Sequence, residues 1–160
     1  MDNRVELLPT KKLVGIPMKM SYSCNRTTEL WKLFMPRRAE VIHRKTSDYI
    51  SMQVYDKAAK DMFSPEAIFE KWATVEVSSF SSIPPGMKSY TLQGGKYAVF
   101  VHEGPASAFS KTFQFIFGEW LPESGFELDN REHFEVLPEG YSPVDPNAKE
   151  EFWVPIIQSI

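Results

Sequence analysis

Aromatic rings and carboxylates recur together in the strand-like stretches of this chain. Tyr49, Ser51, Gln53 and Tyr55 alternate with Ile50, Met52 and Val54, and Trp72, Thr74 and Glu76 alternate with Ala73, Val75 and Val77. Glu135 lies between Phe134 and Val136, and Glu151 and Trp153 fall on one side of the last apolar stretch. A flat ring beside an acid suits a cationic or electron-poor aromatic molecule, because ring faces carry negative potential and the carboxylate supplies a counter-charge. The cation–ring contribution alone is about 0.5 to 2 kcal/mol. An acid held among rings also loses hydration, which disfavours its charged form and lets it act as a base near neutrality. Glu135, Glu76, Trp153, Tyr55, Trp72, Tyr49 and Gln53 are therefore the candidate ligand-binding residues, and Glu135 with Glu76 the candidate acid–base pair for any chemistry.

Other chemistries find no support. His43, His102 and His133 stand far apart, with no pair at metal-ligand spacing, so no metal is expected, nor any other cofactor. His102, at a strand end before Gly104-Pro105, reads as a structural hydrogen-bonding residue. No serine is framed as a nucleophile elbow, and Gly94-Gly95 precedes no helix with a phosphate-loop sequence. The net charge of −3 and the absence of a long Lys/Arg run argue against direct nucleic-acid binding. A single cysteine, Cys24, excludes an internal disulfide and suits a reducing compartment. No apolar stretch reaches the ~18 residues of a membrane span and the first residues open no signal peptide, so a cytoplasmic protein is expected.

The elements that must position these residues follow from periodicity. Val14, Ile16, Met18 and Met20 alternate, and Pro17 points to an edge strand. Asn25 is placed to cap a helix carrying Leu30, Trp31, Leu33 and Phe34, with a break at Pro36. Strands follow over 48–56 and 69–80, separated by a loop containing Pro65. Ile83-Pro84-Pro85-Gly86 is the strongest punctuation and stands near mid-chain. Lys88 to Leu92 and Tyr97 to His102 read as a hairpin or a bent long strand about Gly94-Gly95. Gly104-Pro105 opens a helix with the stripe Phe109, Phe113, Ile116, Phe117, Trp120 and Leu121, ended by Pro122 and Gly125. Short strands at 134–137 and 151–156 flank a Pro-rich loop.

The order is strand, helix, strand, strand, twice. At 160 residues, with 42% apolar and 24% charged residues, the chain is expected to be one α+β domain over 1–160. Its two pseudo-repeats run over about 11–80 and 87–157, with a mostly antiparallel sheet, both helices on one face and a ligand cleft on the other. If the aliphatic side of every strand packs on the helices, the aromatic and acidic residues above share that cleft.

Five segments carry a family resemblance. They are Leu30-Trp31-Lys32-Leu33-Phe34-Met35-Pro36, the run from Gly94 to Pro105, Trp120-Leu121-Pro122-Glu123-Ser124-Gly125-Phe126, Phe134-Glu135-Val136 and Val154-Pro155-Ile156. Together they resemble, in order, the GyrI-like family, the effector-binding domain attached to multidrug-responsive regulators of the AraC and MerR types. The resemblance implies a tandem strand-helix-strand-strand fold with a cleft between the halves. It also implies a drug-binding glutamate at Glu135, an aromatic partner at Trp153 and, loosely, tyrosines at Tyr49 or Tyr55. Some members of the family are hydrolases that open strained cyclopropane rings of electrophilic natural products. The chain has neither the length nor the basic surface for a DNA-binding module, so the expectation is a pocket without a reader. Its partner would be a small organic ligand that it senses or sequesters. Hydrolysis of a strained electrophile through Glu135 and Glu76 is the second reading, and docking onto another protein the third.

Overall fold

The computed structural model describes residues 1–56 and 61–160. Among these residues nine strands form an antiparallel sheet: β1 (Asn3–Leu8), β2 (Lys11–Met20), β3 (Tyr49–Tyr55), β4 (Phe69–Val77), β5 (Lys88–Leu92), β6 (Gly95–Glu103), β7 (Phe126–Leu128), β8 (His133–Leu137) and β9 (Lys149–Gln158). Their spatial order is β1-β6-β9-β8-β3-β4-β2-β5, with β7 paired to β9 alone. Helix α1 (Thr27–Phe34) continues as a 3-10 turn over Met35–Glu40, where Pro36 ends the regular helix. The second helical run joins α2 (Phe109–Gln114), a π-helical turn (Phe115–Trp120) and α3 (Leu121–Glu123). Among the described residues no helix is long and apolar enough to cross a membrane.

Both helical runs lie on one face, as the alternation predicts. Leu30 and Phe34 of α1 are fully buried against Val14, Ala73 and Val75. Ile116 is buried against Ala98, Phe100, Phe152 and Val154. Each such side chain contributes about 1.5–3 kcal/mol when taken out of water. His102 ties β6 to α2, with Nδ1 2.7 Å from Thr112 Oγ1 and Nε2 3.2 Å from the Pro105 carbonyl. Asn25 stands one residue outside the cap position, its Oδ1 accepting from the Thr27 N–H at 3.0 Å. Pro17 sits on β2 beyond Gly15, the last residue paired with β5, so the strand edge there is free.

The two ends of the sheet meet. β1 and β2 are separated in the spatial order by six interstrand steps, about 29 Å if the sheet were flat. Leu8 and Lys11 are three residues apart and reach about 11 Å at most, so the sheet must curl until the β1–β6 edge approaches the β2–β5 edge. The turns there are in contact. Gly94 adopts φ +79, and a Cβ on it would lie 2.3 Å from the Leu8 carbonyl oxygen, while Thr10 Oγ1 donates to the Gln93 carbonyl at 3.0 Å. The strand after Pro84-Pro85-Gly86 is therefore bent away from a hairpin: β5 pairs with β2 and β6 with β1 and β9.

The inside of this curl is a second apolar core. Leu13, Ile50, Met52, Trp72, Tyr97, Val99, Phe134 and Trp153 pack together on the face without helices. This corrects the assignment of faces. Tyr49, Ser51, Gln53 and Tyr55 point to the helical side, whereas Trp72, Thr74 and Glu76 point into the curl, so the two sets do not share a face. The aliphatic side of β3 packs inside the curl, not under α1, because both faces of the sheet bury apolar surface.

Candidate functional site

β3 and β8 are the central seam of the sheet, pairing Ser51 with Glu135 and Gln53 with His133. Helix α1 covers β2 and β4, and the second helical run covers β6 and β9, which leaves the seam as the floor of a groove between them. By alternation that floor receives Ser51, Gln53 and Tyr55 from β3, His133 and Glu135 from β8, Lys71 from β4 and Glu150 from β9. Tyr49 shares the face but lies deeper under α1, edge-on to Trp31 and beneath the Arg44 guanidinium.

The polar groups of the floor are coupled. Gln53 Nε2 donates to Glu135 Oε1 at 3.1 Å. Glu150, buried at 5% exposure, shares a hydrogen bond with Glu135 and takes another from Tyr141. Burial first, then the neighbouring Glu135 charge, pushes the Glu150 carboxyl up to about 8, with Lys71 opposing. The Tyr22 and Tyr55 hydroxyls bond each other, and burial raises both phenols. At neutral pH one proton is thus held on a carboxyl group beside a second carboxyl, as expected of two acids brought together out of water.

Rings wall the floor. Phe63, from the segment between β3 and β4, sits 5.4 Å from Tyr55, 5.3 Å from Phe113 and 4.9 Å from Phe117, so it spans from the sheet to the second helical run. His133 is fully buried among Tyr55, Phe63, Phe117 and Phe152. Burial and the Arg131 charge lower its pKa to about 3, so the imidazole is neutral. Neither of its ring nitrogens, nor Gln53 Oε1, has a hydrogen-bond partner among the described residues.

The curled face holds a separate concavity of about 490 Å³, lined by Ile50, Phe134, Trp153, Glu76, Glu151 and Lys11 among others. Two of its acids are already paired: Lys11 Nζ lies 3.1 Å from Glu76 Oε1, and Arg4 Nη2 lies 2.8 Å from Glu151 Oε2. Trp153 Nε1 donates to Glu151 at 3.2 Å. Trp72, also on this face, donates to Glu70 at 2.7 Å and packs on Tyr90.

Of the sequence-predicted residues, Glu135, Tyr55 and Gln53 therefore meet in the helix-side groove. Trp153 and Glu76 line the opposite concavity, and Trp72 and Tyr49 are core residues of the two faces. Sequence reasoning missed Glu150, Tyr22, Tyr141, His133 and the Phe63–Phe113–Phe117 wall. Glu150 carried a usable signal, since Glu150, Phe152, Val154 and Ile156 alternate in β9 and fall on the helical face. Tyr22, Tyr141 and Phe63 come from segments between strands, where no periodicity marks a direction.

The chain is similar to the transcriptional regulator BrlR of Pseudomonas aeruginosa, 29% identical over 157 residues, covering 98% of this chain and 56% of the regulator. The chain thus spans about half the length of that relative. Among solved structures, the EcmrR C-terminal domain aligns with TM-score 0.75 at 14% identity, covering 99% of this chain and 98% of that one. SAV2435 bound to tetraphenylphosphonium aligns with TM-score 0.69 at 15% identity, covering 98% of this chain and 94% of that one. A profile of the GyrI-like small molecule binding domain matches residues 1–157, and with the fold described above this chain belongs to the GyrI-like small molecule binding domain family.

Proposed function

We propose that the groove between the helical runs binds amphipathic aromatic cations, and that the protein senses or sequesters drugs or toxins of that class. The observation that carries this is the Glu135–Glu150 pair beneath a wall of Tyr and Phe rings, with Lys71 opposing their charge. A cation arriving over the pair replaces the shared proton as counter-charge and meets ring faces at the same time. The tetraphenylphosphonium bound to SAV2435 is such a molecule. The reading takes residues 1–160 as one unit with quasi-equivalent halves over about 11–80 and 87–157, mirrored across the β3–β8 seam. It also takes the setting as cytoplasmic, which an exposed free thiol at Cys24 suits. The test is a fluorescence or calorimetric titration with tetraphenylphosphonium, comparing wild type with Glu135→Gln. Saturable binding lost in the variant supports the reading, and equal curves refute it.

A second reading, hydrolysis of a strained electrophile, draws on one feature of the same pair. Glu150 holds a proton near neutrality while Glu135 stands beside it. Glu135 would take a proton from water as its oxygen bonds to a ring carbon, the ring C–C bond would break, and Glu150 would protonate the departing carbon. Incubation with a cyclopropane-bearing electrophile, followed by mass, distinguishes the readings: product carrying one added water supports turnover, and intact substrate recovered in stoichiometric complex refutes it.

A further inference from the structure

We propose that His133 and Gln53 form a hydrogen-bonding subsite that receives the N–H- or O–H-bearing edge of an aromatic ligand, which enters by taking the place of the Phe63 ring. The proposal deepens the cation-binding reading and rests on it. Three polar atoms, both His133 nitrogens and Gln53 Oε1, are buried on neighbouring strands without partners among the described residues. Buried polar groups are nearly always paired, so orphans grouped in one place call for an explanation. Here they border the groove that holds Glu135, to which Gln53 donates through its other amide atom.

Phe63 is one of the four rings that enclose His133. Phe63 packs on His133, Tyr55, Phe113 and Phe117. It is carried by a self-contained turn in which Phe63 N bonds Asp61 Oδ1 at 3.0 Å and Ser64 N bonds the Asp61 carbonyl at 3.1 Å. A ligand ring in that position would keep the ring contacts Phe63 makes. A ring with a donor and an acceptor on its edge would also bond the imidazole, which as a neutral ring offers one N–H and one lone pair, and the free amide oxygen. Phenylalanine can make neither bond. The ligand class follows: planar cations with exposed N–H or O–H groups are favoured over cations of equal charge without them, because leaving these atoms unpaired penalises the latter.

Proflavine and acridine orange are suitable probes, sharing a cationic acridine ring but differing in that the exocyclic amines carry hydrogens only in proflavine. Both are titrated into wild type and His133→Phe alongside tetraphenylphosphonium. The expected result is a preference for proflavine of about tenfold in wild type, lost in His133→Phe, while tetraphenylphosphonium, which carries neither group, reports whether the groove still takes a cation. A preference that survives in His133→Phe is steric and overturns the subsite, as does equal affinity of wild type for both dyes. If the phenylalanine variant does not fold, His133→Leu carries the same comparison. Absence of binding by all three probes refutes the cation reading itself, whereas binding without the preference refutes the subsite alone.

Discussion

Glu76 and Glu135 stand on opposite faces of one sheet, Glu76 in the curl beside Lys11 and Glu135 in the groove beside Gln53. One small molecule cannot bridge them, so the two should respond differently. Glu135→Gln is expected to weaken tetraphenylphosphonium binding about tenfold or more, a loss of about 1.4 kcal/mol per tenfold. Glu76→Gln should leave the titration unchanged. Equal losses in both variants would place the ligand elsewhere.

Glu150 makes both stability and binding depend on pH. Its carboxyl is raised from the ordinary 4.5 to about 8, so between those values the folded chain keeps a proton that the unfolded chain has lost. The stability this confers is complete below about 4.5 and is lost as pH rises through about 8. Thermal melts of Glu150→Gln should therefore gain on wild type as pH rises through that window. A bound cation favours the ionised pair and expels the proton, so tetraphenylphosphonium affinity should rise with pH over the same range in wild type and stay flat in Glu150→Gln. Parallel melting and binding curves for the two proteins would contradict both expectations.

Gly15 of β2 packs directly against the β4 backbone. A Cβ there would lie 1.9 Å from the Ala73 carbonyl oxygen and 2.8 Å from Thr74 Cα, both backbone atoms that cannot move alone. Gly15→Ala should cost about 3 kcal/mol, near the upper end for overpacking. In a chain of this size that lowers the melting temperature by about 2–4 °C per kcal/mol. A melt within a degree of wild type would show that the strands part without cost.

Arg131 ties the start of β6 and the turn before it to β9. Its guanidinium donates to the Gly94, Lys96 and Ile156 carbonyls at 2.9, 2.5 and 3.2 Å and pairs with Asp129. Arg131→Ala leaves three carbonyls to water or to nothing and should destabilise the chain by about 2–3 kcal/mol. Arg131→Lys should recover little, since an ammonium cannot reproduce the planar fork. Chemical denaturation measures both, and full recovery in the lysine variant would reduce the residue to a point charge.

Much of the architecture was legible from spacing. The stripe from Phe109 to Leu121 marked the second helical run, and the alternation of Val14–Met20, Ile50–Val54 and Ala73–Val77 marked three strands. The order of elements and the placing of both helices on one face followed. Within each strand alternation also says which residues share a side, and it picks out Tyr55 with Gln53 on β3 and sets Glu135 apart from Phe134 and Val136 on β8.

Which side faces what was decided only by the folded chain. A period of two groups the residues of one strand but says nothing about the phase between strands, which depends on register. Hydrophobicity usually supplies the missing label by marking the buried side. Here the β1–β2 and β5–β6 turns pull the sheet into a curl that buries Ile50, Met52, Trp72 and Trp153 as thoroughly as the helices bury Val14 and Val75. With both sides of the sheet apolar the label is lost, and the pattern alone groups Trp153 and Glu76 with a glutamate on the other face. The pairing of Glu135 with Glu150 and the enclosure of His133 by Phe63 join residues from 15 to 70 positions apart, through contacts that no local pattern encodes.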